Sequence, residues 1–322
     1  MPDLNVGGQA VIEGVMMRSA DRIATAVRIP SGEILVKTEP YKALSARHKI
    51  LNIPILRGAI TFVEMMVIGI RTLNFSADIA IKEAEKEEAK KDGRDVENEK
   101  KKSNALWLGL SVVIAMIVGV GIFFWLPLAL STLLGVDRDA VWFNLVAGAI
   151  RLTFFVTYVY VISLFGEFKR IFQYHGAEHK SIYAHEMGEE MTPERAATHT
   201  RFHPRCGTSF ILIVALAAIM MYAISDSIYT IVVGQAPDLT QRFLLHFSLL
   251  PLVAGGSYEL LKLSGKTRNN PITKILIQPG LWLQRITTQE PSREQLEVGI
   301  VALEAALGVT ESKIDCPRAT VP

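Results

Sequence analysis

The chain has 322 residues, half of them apolar, with a mean hydropathy of +0.28 and only 20% charged side chains. A net charge of +2 points to no acidic or basic partner, and nothing in the chain suggests nucleic-acid recognition. Two distant cysteines, Cys206 and Cys316, exclude a disulfide framework.

In chain order, residues 1–49 read as a small β-rich region. "QAVIEGVMMR" and "TAVRIPSGEILVKTEP" mix β-branched residues with turn signals, and Ser31-Gly32 suits a hairpin. Asp3, Glu13 and Asp21 interrupt the apolar character, so no cleavable signal peptide is expected. Residues 50–73 are apolar but carry Arg57, Glu64 and Arg71, seven apart and hence on one helical face. An amphipathic helix in the membrane interface fits this better than a crossing. Residues 81–102 form a dense mixed-charge run, expected as a solvated helix and linker, so that 50–105 is one interfacial and linking unit.

Four long apolar runs follow, at 106–134, 141–166, 208–233 and 243–263. Each reaches the ~20 residues that cross a bilayer core as a helix. Lys and Arg set the orientation: residues 1–105 hold 17 of the 34, 167–207 hold six and the tail from 264 holds seven, whereas the turns at 135–140 and 234–242 hold one each. Both termini and the 167–207 loop are therefore expected in the cytoplasm. Arg151 and Asp226 fall at similar depth within the second and third runs, where a charge pair is expected. The 264–322 tail reads as two amphipathic segments. In the second, Ser292 and Gln295 form a capping box before an apolar stripe of Leu296, Ile300, Leu303 and Leu307.

The chemistry concentrates in "FQYHGAEHKSIYAHE", 172–186, just past the second run. His175 and His179 lie four residues apart, so about 40° separates them on a helix and both imidazoles reach one ion. With Glu178 they form the H-x-x-E-H arrangement of inverted zincin metallopeptidases, the glutamate beside the ligand face as general base. About 0.01 such matches are expected by chance in a chain of this composition. Glu186 continues the same face within about 20°. "HPRCGTSF" then brings His203 and Cys206 to the start of the third run, and imidazole and thiolate both suit zinc. Glu259, near the inner end of the fourth run, reaches comparable depth as an outer partner of the ligands. The bland alternative is a polar helix mouth facing water. His185 and His199 read as solvent-facing, and His48 and His246 receive no role.

Four separated blocks, "GGQAVIEGVMMR" at 7–18, "HGAEHKSIYAHE" at 175–186, "HPRCGTSF" at 203–210 and "PGLWLQRITTQEP" at 279–291, resemble the YqhQ-like bacterial membrane proteins over nearly the whole length. That family is described as metal-dependent enzymes without an assigned activity. The resemblance implies that His175, Glu178, His179, His203 and Cys206 belong to its motifs. Where the family commonly has tyrosine before the glutamate of the second block, this chain has His185.

The expectation is a mainly α, polytopic protein of the bacterial inner membrane, its partner the lipid bilayer. About four transmembrane helices span 106–263, with a β-rich region before them and cytoplasmic helices after. A divalent metal, zinc by donor type, is held by His175, His179, His203, Cys206 and Glu186, with Glu178 catalytic and Glu259 behind. Hydrolysis of a peptide or lipid-linked substrate is the reading; a scaffold with a structural metal and a transport or metal-handling protein are its rivals.

Overall fold

A computed structural model describes residues 6–92, 105–136, 140–266, 270–309 and 318–320. Strands β1 (Gly7–Val11), β2 (Gly14–Arg18), β3 (Arg22–Arg28) and β4 (Ile34–Pro40) form an antiparallel meander, and β5 (Arg318–Thr320) adds to β4 in parallel. The β1–β2 turn puts Glu13 at φ 52, and the expected β3–β4 turn has Gly32 at φ 90. Short helix α1 (Leu44–Arg47) and a 3-10 turn at Lys49–Asn52 lead into α2 (Leu56–Asp92), which runs from the expected interfacial segment into the charged run; the rest of the expected linker, 93–104, lies outside the described residues.

Period-two alternation splits the sheet's side chains between two helical layers. Val15, Met17, Ala24, Ala26 and Ile34 pack against α6 (Gly166–Glu186) and α12 (Arg293–Leu307). Val11, Met16, Ile23 and Val27 face Ile68, Phe75 and Ile79 of α2. The capping box of α12 forms as expected, but burial extends around the helix to Glu297 and Glu304, so it is a core element rather than a one-sided one.

The apolar part contains α3 (Ala105–Val120), a π-turn at Gly121–Trp125, α4 (Leu126–Leu133), α5 (Ala140–Ser163), α8 (Gly207–Val233), α9 (Leu239–Ser248) and α10 (Leu250–Lys266). Between α6 and α8 lies short α7 (Pro193–Ala197), and after α10 comes α11 (Pro271–Thr287). Three stretches, Val113–Leu133, Val141–Ser163 and Phe210–Val233, are long and apolar enough to cross a membrane. The fourth expected run begins earlier and is bent by 47° between α9 and α10. Pro251 is the second residue of α10, just past the break; it has no N–H to donate and its ring opposes the carbonyl four residues back.

The expected Arg151–Asp226 pair does not form. Asp226, fully buried, accepts from Asn144 Nδ2 at 2.8 Å and His246 Nε2 at 3.0 Å, and faces the Arg242 guanidinium at 3.2 Å. Asn144 lies about 10 Å up α5 from Arg151 by helical rise, which puts Asn144 rather than Arg151 level with the carboxylate. Arg151 instead donates through Nε to the Phe123 carbonyl of the π-turn at 2.8 Å. His246, assigned no role from sequence, therefore has two: it bonds Asp226 and stacks on Tyr222 with ring centroids 4.1 Å apart.

Candidate metal centre

Helix α6 carries the histidines, and the tail leaving α11 crosses it closely. A Cβ on Gly176 would lie 2.1 Å from the Gln289 carbonyl oxygen, so only glycine admits the crossing, and Gln289 N–H donates to Phe172 O at 2.8 Å. The crossing sets Thr287 beside His175, whose Nδ1 lies 2.8 Å from the Thr287 carbonyl. Because a carbonyl only accepts, Nδ1 carries a proton and Nε2 is the ring atom left to face the site. His179 is fixed in the same way, its Nδ1 donating to Arg201 O at 2.5 Å. Backbone carbonyls thus choose the tautomer of both rings, the arrangement found behind metal-ligating histidines.

Both Nε2 atoms face the Cys206 sulfur. His175 Nε2 lies 3.2 Å from Sγ, and the ligand atoms of His175, His179 and Cys206 lie within 4.8 Å of one another. His179 Nε2 is buried and has no hydrogen-bond partner. An orphaned acceptor pointing at a sulfur is costly unless something electropositive satisfies it. Two imidazoles and a thiolate fit a zinc-type ion, so the donor set passes that test.

Cys206 caps the 27-residue helix α8, its sulfur accepting from Thr208 N–H at 3.4 Å. Burial pushes the thiol up, but the His175 and His179 imidazoles outweigh it and hold Cys206 well below the ordinary thiol range. Burial likewise works against a charged His175, yet Cys206 and Glu178 push that imidazole up to about 9. Glu178, 5% exposed, has its carboxyl raised by burial against the opposing pull of His175 and His179. Gly8 of β1 packs on this carboxylate: a Cβ there would lie 3.0 Å from Glu178 Cδ. The first block also grips α6 through Glu13, which accepts from Arg170 Nε at 2.6 Å and Tyr174 OH at 3.3 Å.

Of the expected ligands, His175, His179 and Cys206 converge; His203 and Glu186 form a separate buried pair. His203 Nδ1 accepts from Arg205 N–H at 3.3 Å, which leaves Nε2–H to donate to Glu186 Oε1, also at 3.3 Å. Both ring nitrogens are engaged, and Glu186 also pairs with Arg205. The His203 ring stays near the cluster, 5.6 Å centroid to centroid from His179. Glu259 does not join them: its carboxylate is bound bidentately by Arg57 of α2, at 2.7 and 2.5 Å. His199, expected to face solvent, pairs with Glu189 at 3.1 Å.

Sequence reasoning missed Gln284, Thr287 and Arg201. The last two act through carbonyls, which no residue type betrays. Gln284 had a signal, a polar side chain within the apolar run of the fourth block. It is fully buried and bonds both backbone groups of His203, accepting from N–H at 2.7 Å and donating to O at 2.8 Å. Helix α11 thus holds the Cys206 loop with Gln284 and His175 with Thr287, two residues at one end of one rigid element.

A family model described as a protein of unknown function (DUF1385) matches residues 53–309. The chain belongs to this family. It is also 34% identical over 309 residues to the "Uncharacterized protein YqhQ" of Bacillus subtilis (strain 168), covering 94% of this chain and 92% of that one. The YqhQ-like resemblance read from the four blocks therefore holds. No solved structure matches the chain. Since the family description carries no activity, any functional reading rests on the site itself.

Proposed function

We propose that this member of the family is a membrane-embedded, metal-dependent hydrolase, with His175, His179 and Cys206 holding a divalent ion of the zinc type. The observation that carries the reading is the convergence of donor atoms from His175, His179 and Cys206 within 4.8 Å of one another, with His179 Nε2 buried and without a hydrogen-bond partner. Three protein donors leave a coordination position open, which is the habit of catalytic rather than structural zinc sites. When bound, such an ion supplies Lewis acidity and brings the pKa of water down toward ~7. Glu178 takes a proton from the attacking water and returns it to the leaving group. The buried His203–Glu186 pair backs the ligand helix rather than ligating.

Three apolar helices, or four counting the bent pair, suit a polytopic membrane protein, and the Lys and Arg that flank them support a centre at the cytoplasmic mouth. The substrate class is then a peptide or lipid-linked compound that reaches the interface. The test is hydrolysis of amide, ester and phosphoester reporters by zinc-loaded protein in vesicles. Wild type is expected to cleave at least one class, and E178Q with equal zinc to be slower by about 10²–10⁴-fold. Equal rates for the two proteins on every class would remove Glu178 as base.

The 3.2 Å contact between His175 and Cys206 favours a second reading, a thiolate nucleophile with His175 as its partner. Chelation separates the two: activity that survives metal removal belongs to the thiolate.

A further inference from the structure

Helix α2 carries an exposed apolar face beside the one it packs against the protein. Its fully buried residues are small or polar, Gly58, Gly69, Thr72 and Ser76, while the half-buried Ile68, Phe75 and Ile79 pack on the sheet. Its outward stripe is Phe62, Val63, Met66, Val67, Ile70 and Leu73, between 37% and 58% exposed. At 100° per residue the stripe covers about 140° of the helix; the buried set occupies the adjoining arc on the Phe62 side, and Arg57, Glu64 and Arg71 lie on the far side. The charged residues of the same turns are satisfied by the protein. Arg57 binds Glu259, Glu64 accepts from Leu44 N–H at 3.1 Å, and Arg71 binds Glu39 at 3.0 Å.

Small residues on the buried side bring α2 against the apolar bundle. A Cβ on Gly58 would lie 2.8 Å from Gly255 O, and one on Gly255 would lie 2.2 Å from Ile55 O, so the α2 and α10 backbones nearly touch. Phe62 meets Phe210 at the start of the third candidate span, with ring centroids 6.2 Å apart. Further along, Ile68, Phe75 and Ile79 lie on the sheet, and Ser76 accepts from Ile12 N–H at 3.1 Å. The outward stripe therefore continues the apolar surface of the bundle at the end where Cys206 lies.

We propose that this face of α2 is a lipid-binding surface, lying in the cytoplasmic leaflet among the acyl chains next to the headgroups. The inference rests on the reading that the bundle spans a membrane. From Phe62 to Leu73 the stripe runs about 17 Å, too short for the ~30 Å hydrocarbon core, so it lies along the leaflet rather than across it. An interfacial helix buries this kind of face while its polar residues stay outside the hydrocarbon. One end of α2 is locked to α10 and its middle to the sheet, so the helix presses the sheet layer and the metal centre to the bilayer surface.

The test places a benzophenone amino acid at Val67, or at Met66 as a second position, in the full chain reconstituted into phosphatidylethanolamine–phosphatidylglycerol vesicles. Ile228 of α8 is the lipid-facing control and Lys86 the aqueous one. Photolysis followed by mass spectrometry is expected to give lipid adducts at Val67 about tenfold above those at Lys86 and comparable to those at Ile228. Water products at Val67 with lipid adducts at Ile228 overturn the inference and leave the membrane reading intact. So do crosslinked dimers of the chain at Val67, which make the stripe a self-association face. No lipid adducts at either Val67 or Ile228 overturn both.

Discussion

Replacing Gln284 with leucine keeps the volume of the side chain and removes both hydrogen bonds that hold the His203 backbone. His203 O retains a second donor, Cys206 N–H at 3.2 Å, so the loss falls mainly on the buried His203 N–H. An unsatisfied buried donor costs about 1–3 kcal/mol, and the weakened carbonyl adds about 1 kcal/mol, so about 2–4 kcal/mol is at stake. If the loop holds its place, that sum appears as lost stability. If the loop moves away to reach water, Cys206 moves with it and zinc affinity falls by about 10–100-fold, as for other residues that orient ligands. Unfolding in detergent and zinc competition against a chromophoric chelator read the two outcomes separately. Q284E, which retains the acceptor for His203 N–H, should recover most of either loss. An affinity within about twofold of wild type together with a stability change below about 0.5 kcal/mol in Q284L would refute the clamp.

Asp226→Asn leaves Arg242 and His246 facing a neutral amide in a buried cluster. It should destabilise the bundle by about 3–5 kcal/mol while zinc content stays unchanged; loss of zinc from a folded variant would reverse the assignment. In chelated protein, alkylation of Cys206 should stay fast at pH 7, and His175→Ala should slow it at least about tenfold by returning the thiol toward ~8.5. Equal rates at pH 7 would show that His175 does not set the thiolate. The sign follows from linkage. The thiol's share of stability is complete above about 8.5 and is lost as pH falls through its depressed folded value; the imidazole's share is complete below about 6.5 and is lost as pH rises through about 9. Chelated protein should therefore be most stable between those limits, and more so than H175A.

What was legible in the sequence was whatever follows from local period. Spacing alone puts His175 and His179 on one helix face, and the apolar runs announce the bundle by length. The Ser292–Gln295 box marks the start of α12, because capping is settled within four residues. What escaped depends on contacts between distant segments. Glu259 looked like a partner of the metal ligands by depth, but Arg57, 202 residues away in the chain, reaches it first. His203 looked like a ligand by type, but Glu186 and the Arg205 N–H occupy its two nitrogens. The exposed apolar face of α2 was half visible. The spacing of Arg57, Glu64 and Arg71 suggested an interfacial helix, but which face turns outward is set by Gly58 against Gly255 and by Ser76 against the β1–β2 turn.

The proposed centre is one ion shared by two helices that meet only in the folded chain. Counting divalent metals by mass spectrometry, in protein purified without chelators, tests this most directly when H179A and C206A are prepared alongside. Wild type should carry about one zinc-type ion per chain, and either variant should lose most of it while remaining folded. A metal-free wild type, or a C206A protein with its full complement, would contradict the proposed centre.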